Sequence, residues 1–160
     1  RTYNGVLAQI ASVPPTQLTY TDSIEDIIEG DGNFCYYIEA IEGIGAPIGN
    51  PNPVLFSQTS LSNEACALQQ PNIFVPNAFV PNGVNSIFNP VTVYADMDNY
   101  LLQIYDRWGN RIFETTDPEL GWDGKVGGKL AKTGAYAYLL SVQSSRGNTF
   151  VKRGTITMIP

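Results

Sequence analysis

The sequence predicts an all-β chain built as an antiparallel β-sandwich, and three features predict it. Charged residues make up only 15% of the 160 residues, well under the usual quarter, so the surface draws its polarity from Asn, Gln, Thr, Ser and Gly. Runs rich in Val, Ile, Thr, Tyr and Phe alternate with Gly, Pro, Asn and Asp punctuation at the roughly 8–12-residue spacing of a sandwich. Helical periodicity is nearly absent: the best window, Ile24–Glu29, is short and β-branched and reads as a loop with one turn.

In chain order, Val6–Val13 reads as the first strand, ended by Pro14-Pro15, because proline supplies no ladder donor. Leu18–Thr21 follows as a short strand. Asp31-Gly32-Asn33 is a turn, and Phe34–Ile41 is the clearest strand of this half, with Tyr36, Ile38 and Ala40 on one face. A Gly-, Pro- and Asn-rich loop covers Gly43–Pro53, and Leu61–Leu68 closes the half. Gln69-Gln70-Pro71-Asn72 marks a boundary that divides the chain into residues 1–70 and 71–160. Beyond it, Phe74–Gly83 is extended and proline-punctuated, as an edge strand is. Val91–Tyr94 is a strand. Tyr100–Asp106 and Arg111–Thr115 flank a hairpin turn at Trp108-Gly109-Asn110, where Gly and Asn tolerate positive φ. Trp122-Asp123-Gly124 and Gly127-Gly128 are bends. Ala135–Gln143 places Tyr136, Tyr138, Leu140 and Val142 on one face, Ser145–Asn148 turns the chain, and Phe150–Ile159 is the last strand. Pro76–Pro81 and Thr155–Ile159 are the expected open edges, where a partner can add a strand.

Composition narrows the functions. The formal net charge is −6, and nothing gives the electrostatic footprint of a nucleic-acid partner: Arg107, Arg111, Lys125, Lys129 and Lys132 put modest positive charge in the C-terminal half and Asp22, Glu25, Asp26, Glu29, Asp31, Glu39 and Glu42 make the N-terminal half acidic, both read as solvated faces. There is no histidine, which removes Ser–His and Cys–His catalysis and imidazole metal ligation. No apolar run reaches the ~18–20 residues of a membrane span. The opening Arg1-Thr2-Tyr3 reads as the inside of a strand, so the expectation is the tail of a longer protein. Two cysteines, Cys35 and Cys66, form either one disulfide or two buried thiols. Paired, they close a loop of about 32 residues, worth roughly 3–4 kcal/mol, and imply an oxidising compartment.

Five pieces carry a resemblance: PNAFVPNG (Pro76–Gly83), LQIYDRWGNRIFE (Leu102–Glu114), GWDGK (Gly121–Lys125), TGAYAYLL (Thr133–Leu140) and KRGTITMIP (Lys152–Pro160). In this order and spacing they resemble the gliding-motility-associated C-terminal domain, the type B C-terminal signal of proteins exported by the type IX secretion system of Bacteroidota. IYDRWGN followed by GWDG is the most specific part. The family commonly reads PNGDGIND where Gly83-Val84-Asn85-Ser86 here carries no acidic residue, and Pro160 stands where a basic residue is common. Residues 1–70 resemble the last strands of a fibronectin type III or Ig-like module, through TYTD (Thr19–Asp22), FCYYIEAIE (Phe34–Glu42) and LSNEACA (Leu61–Ala67). The implied architecture is an Ig-like sandwich preceded by a partial fibronectin type III-like one, with Cys35 tied to Cys66.

The resemblance implies a secretion and surface-anchoring signal, adhesin-like and gliding-related, with no enzyme activity, no cofactor and no metal. Its implied partners are outer-membrane translocon shuttle proteins, including a PorP/SprF-type β-barrel, and its implied location is the extracellular face of the cell surface or outer membrane. The recognition residues it points to are Pro76, Asn77, Pro81, Asn82 and Gly83 in the leading segment; Asp106, Arg107, Trp108, Gly109 and Asn110 in the hairpin; and Gly121, Trp122, Asp123 and Gly124 in the second bend. Two rival readings are a carbohydrate-binding or adhesive module, with Trp108 beside Tyr100 or Tyr105 as platform, and the accessory tail of a secreted hydrolase. Trp108 and Trp122 also read as hairpin and core packing. Asp106 and Asp123 read as turn residues bonding their own backbone rather than as a glycosidase pair. Asp96, Asp98 and Asn99 offer fewer oxygens than calcium requires.

Overall fold

Alternation of apolar and polar residues is what the backbone turns into buried and exposed faces, and it sets the fold seen in the computed structural model, which describes residues 1–41 and 59–160. The loop expected over Gly43–Pro53 lies outside the described residues. The described chain is all strand, turn and coil. It divides into two compact units: Arg1–Asp22 with Phe34–Ala67, and Ser23–Asn33 with Leu68–Pro160.

The first unit holds β1 (Thr2–Tyr3), β2 (Val6–Leu7), β3 (Asn33–Tyr36), β4 (Glu39–Ile41), β5 (Thr59–Leu61) and β6 (Ala65–Leu68). One sheet runs β2-β1-β3-β6, and a second pairs β4 with β5. Several expectations are corrected here. The strand read over Val6–Val13 stops at Leu7. It is instead the second arm of a hairpin turned by Asn4-Gly5, both at positive φ, the pairing that an Asn-Gly turn favours. No strand forms over Leu18–Thr21, and Leu18 is exposed. Phe34–Ile41 is not continuous. At Ile38 the backbone leaves the first sheet: its N–H donates to Ser62 Oγ and its carbonyl accepts from the Ser62 N–H, both at 2.9 Å. The same serine breaks Leu61–Leu68 into two strands. Consequently Tyr36, Ile38 and Ala40 do not form a buried face, and the buried anchor is Phe34, stacked on Tyr3 at 4.1 Å. Cys35 and Cys66 are joined by a disulfide between β3 and β6.

The second unit holds β7 (Asn72–Phe74), β8 (Ala78–Phe79), β9 (Val91–Val93), β10 (Asp96–Tyr105), β11 (Arg111–Thr115), β12 (Lys125–Val126), β13 (Lys129–Leu130), β14 (Gly134–Gln143) and β15 (Thr149–Met158). The main sheet runs β11-β10-β14-β15-β8, with β7–β9 and β12–β13 as small antiparallel pairs. β10, β14 and β15 are ten residues each and alternate buried with more exposed positions over Tyr100–Ile104, Tyr136–Val142 and Gly154–Met158. Tyr100, Leu102 and Ile104 face Tyr136, Tyr138, Leu140 and Val142 and then Ile156 and Met158. Tyr138 sits opposite Gly154 and lays its ring over it. Ile73 and Val75 pack on this core together with Phe79, Phe88 and Trp122. Each fully buried aliphatic side chain contributes about 1.5–3 kcal/mol, so the main sheet is the stable body of the unit.

Two further expectations change. The pairing of β8 with β15 is parallel, in a unit whose other strand pairs are antiparallel. Carbonyls of the leading segment accept: Thr157 N–H donates to Asn77 O at 2.9 Å and Ile159 N–H to Phe79 O at 3.0 Å. Pro76 and Pro81 therefore cost the ladder nothing, since the donors come from β15. For the same reason Thr157–Ile159 is not an open edge, because β8 covers it. Over Thr149–Ile156, β14 is the one strand partner of β15 among the described residues. Ser23–Asn33 is held to this unit by Tyr94, whose hydroxyl donates to Ile24 O at 3.2 Å, and by the Gln69 N–H to Gly32 O bond at 2.9 Å.

Candidate functional site

Strand register brings three separated motifs to one end of the main sheet. Tyr105 pairs with Ala137, Gly134 with Met158, and Met158 with Phe79. The far end of β10, the start of β14 and the ends of β15 and β8 therefore coincide. The Asp106–Asn110 hairpin, the Asp123-Gly124 bend and Pro81 all lie there. A Cβ on Gly124 would meet Pro81 Cγ at 2.7 Å and Met158 Sδ at 3.1 Å. With φ at +80° as well, the bend needs glycine on two counts.

The hairpin is built around the Asp106 carboxylate. It accepts from the N–H of Trp108 at 2.8 Å and from the N–H and Nδ2 of Asn110, each at 2.9 Å. Gly109 takes the left-handed position at φ +83°, a type I turn followed by a bulge. Asn110, expected at positive φ, acts through these bonds instead. Its side-chain bond, with the backbone N–H groups, holds the Asp106 carboxyl below the ordinary carboxylate range. Asp123 is held low as well, first by the Lys125 ammonium at 2.9 Å and then by the Lys125 N–H at 3.0 Å. A glycosidase acid needs its pKa raised, so both carboxylates have the electrostatics of turn anchors.

Trp108 projects from the tip of the turn and is 81% exposed. Beside it runs an open groove of about 400 Å³. Arg107, Trp108 and Lys132 line its mouth, and Ile112, Val126 and Tyr136 its apolar side. The Arg107 guanidinium lies 3.8 Å from where a Gly134 Cβ would stand. Tyr136 is nearly buried and its hydroxyl donates to Lys132 O. Burial pushes the Tyr136 phenol up, while Arg107 pulls it down and Asp106 raises it.

The remaining residues singled out from the sequence are placed both in the core and at the surface. Trp122 is fully buried, donates its indole N–H to Lys125 O at 3.0 Å and stands edge-on to Tyr136. Gly121 abuts the Phe88 backbone: a Cβ there would meet Phe88 O at 2.6 Å. Gly83 closes a turn back to Val80 O, Asn77 serves through its carbonyl, Pro76 is half-buried, and Asn82 is exposed. The aromatic platform of Trp108 with Tyr100 is not formed, because Tyr100 is 2% exposed in the core. Tyr105 directs its hydroxyl to Gln103 Oε1 at 2.8 Å. Asp96 spends its carboxylate on the Asp98 N–H and the Asn99 Nδ2, both at 3.0 Å. Among the described residues the one grouping of metal-ligand side chains is Cys35, Glu64 and Cys66, and its sulfurs are bonded to each other. Lys132 and Tyr136 were missed as rim residues. The signal was available in the register, since counting across from Tyr105 to Ala137 sets the preceding residues beside the hairpin.

The second unit is a filled sandwich whose distinctive turns gather at one end of the main sheet. A family model described as the CHU_C type IX secretion signal domain matches residues 73–158, more than half of the chain. The chain belongs to this family: it carries a type IX secretion signal, which directs export to the cell surface or outer membrane. The family is one of secretion signals, not of catalysts. No curated protein matches the chain.

Proposed function

We propose that residues 71–160 form the C-terminal signal of a large surface protein, adhesin-like and gliding-associated, and that outer-membrane shuttle proteins of the translocon recognise it, among them a PorP/SprF-type β-barrel. The exported domain then remains on the extracellular face. The observation that carries this reading is the gathering of the hairpin, the Asp123-Gly124 bend and Pro81 at one end of a filled sandwich. A receptor that handles many unrelated cargoes must read a shape common to all of them. Turns held by internal hydrogen bonds present such a shape at little ordering cost. Residues 1–70 are the closing part of a fibronectin type III or Ig-like module of the cargo, a reading supported by the disulfide between β3 and β6, which suits an oxidising compartment.

The test is to fuse the whole 160-residue chain behind a periplasmic reporter in a type IX-competent host and measure protease-accessible reporter on intact cells. Display that disappears when the chain is omitted, or when the host lacks its translocon, is the expected result. A reporter retained in the periplasm with the chain attached sinks the reading.

A further inference from the structure

Resting on that signal reading, we propose that the groove beside Trp108 docks an acidic segment of a protein partner, with Trp108 as apolar anchor and Arg107 and Lys132 as the groups that take its carboxylates. The acidic excess of the chain lies in residues 1–70, with eight Asp/Glu to one Lys/Arg, whereas residues 71–160 hold eight Lys/Arg and seven Asp/Glu and are close to neutral. Against that background Arg107 and Lys132 share one groove, and neither has an ion-pair partner among the described residues. Asp106, the carboxylate in the same lining, already accepts from Trp108 and Asn110. Those donors are neutral and keep Asp106 ionised, so the lining sets two cations, without ion-pair partners among the described residues, against one carboxylate, and the balance favours an external anion.

The apolar side of the groove fixes what carries that anion. Ile112 is packed against the core and Val126 is half-open, so the floor is firm and greasy. Trp108 stands over it almost fully exposed. A lone exposed tryptophan beside an apolar groove and an unpaired arginine has the composition of an interface hot spot. A groove of about 400 Å³ holds a few side chains, so the occupant inserts a short stretch of its chain. A neutral sugar is a poorer fit. Tyr136, which would face Trp108 across a sugar ring, is 8% exposed and has its hydroxyl engaged. Two cations are also too few for a nucleic-acid backbone. Charge pairs of this kind speed and orient encounter as well as hold the complex.

The experiment uses the full chain fused to the surface-display reporter, with each purified variant melted alongside to confirm folding. Charge reversal (Arg107→Glu with Lys132→Glu), charge removal (Arg107→Gln with Lys132→Gln) and Trp108→Ala are each expected to lower display about tenfold or more, the size of a lost hot-spot contact. Arg107→Lys with Lys132→Arg, and Trp108→Phe, are expected to keep display within about twofold of the parent, because charge and apolar bulk persist. Charge variants that fold and display like the parent overturn the proposal. So does loss confined to Trp108→Ala, which would mean an apolar partner, and so does unchanged display with weakened binding to surface polysaccharide, which would mean a glycan. Failure of the unmodified chain to display removes the signal reading itself, and the docking proposal with it.

Discussion

Asp106 and Ser144 occupy the same place in two turns of one geometry. In each, the first residue donates its N–H to an Asn four positions on, accepts from a Gly three positions on, and that Gly is left-handed: Gly109 at +83° and Gly147 at +78°. What differs is the side chain. Asp106 ties down three donors, whereas Ser144 Oγ is buried without a hydrogen-bond partner among the described residues. The Asp106 turn is thus the stiffer, and it is the one that carries Trp108. Because the folded turn lowers the Asp106 pKa, its contribution is complete above the ordinary carboxylate range and is lost as pH falls through the lowered value. Asp106→Ala is expected to melt earlier than the parent at neutral pH, with the gap closing in strong acid; a gap that ignores pH refutes this. Tyr100 works in the opposite sense. Burial first, then Asp117, pushes its phenol up to about 12, so stability is full below the ordinary tyrosine value near 10 and falls as pH climbs from there through about 12. Its buried hydroxyl has no hydrogen-bond partner among the described residues. Tyr100→Phe should therefore be neutral or stabilising by up to about 1 kcal/mol and should blunt the alkaline loss, followed by tyrosinate absorbance and chemical denaturation.

At the scale of elements, the long strands were legible and the short ones were not. Alternation over Tyr136–Val142 and over Tyr100–Ile104 needed only period two and a turn, and the packed sheet follows it. The breaks at Ile38 and Ser62 were not legible, because they depend on one side-chain bond between residues distant in sequence. Asn4-Gly5 was legible in principle as a hairpin signal, and the reading that began a strand at Val6 passed over it. The parallel pairing of β8 left no local mark beyond its flanking prolines. At the candidate site, the hairpin and bend could be named from the motif, yet only the register reveals that they share an end with Pro81 and Lys132. The Gly124 bend locks these pieces together. Gly124→Ala is expected to cost roughly 1–3 kcal/mol, since the added methyl collides with Pro81 and Met158 in a disfavoured backbone conformation; a denaturation midpoint equal to the parent's would show that the contact is slack. Removing Lys152–Pro160 takes out a strand paired on both sides at its end. That deletion should abolish folding of the unit by circular dichroism, so its effect on export cannot by itself identify a recognition strand.

The whole molecule divides its stability by the means each unit has. The second unit relies on a continuous core, while the first has few buried residues among those described and a disulfide spanning 31 positions. Reduction is expected to destabilise the first unit by roughly 3–4 kcal/mol and leave the second untouched. Amide exchange with and without reductant would register this as lost protection confined to the first unit. Uniform loss would contradict it.

The bond from Tyr94 to Ile24 has an outcome for anyone borrowing this domain. A chimera spliced at residue 70 would leave behind Ser23–Asn33, a ribbon the sequence assigns to one module and the contacts to the other. Cutting just ahead of it would instead separate Arg1–Asp22 from Phe34–Ala67, so a passenger joined ahead of Arg1 leaves the contacts of both units whole.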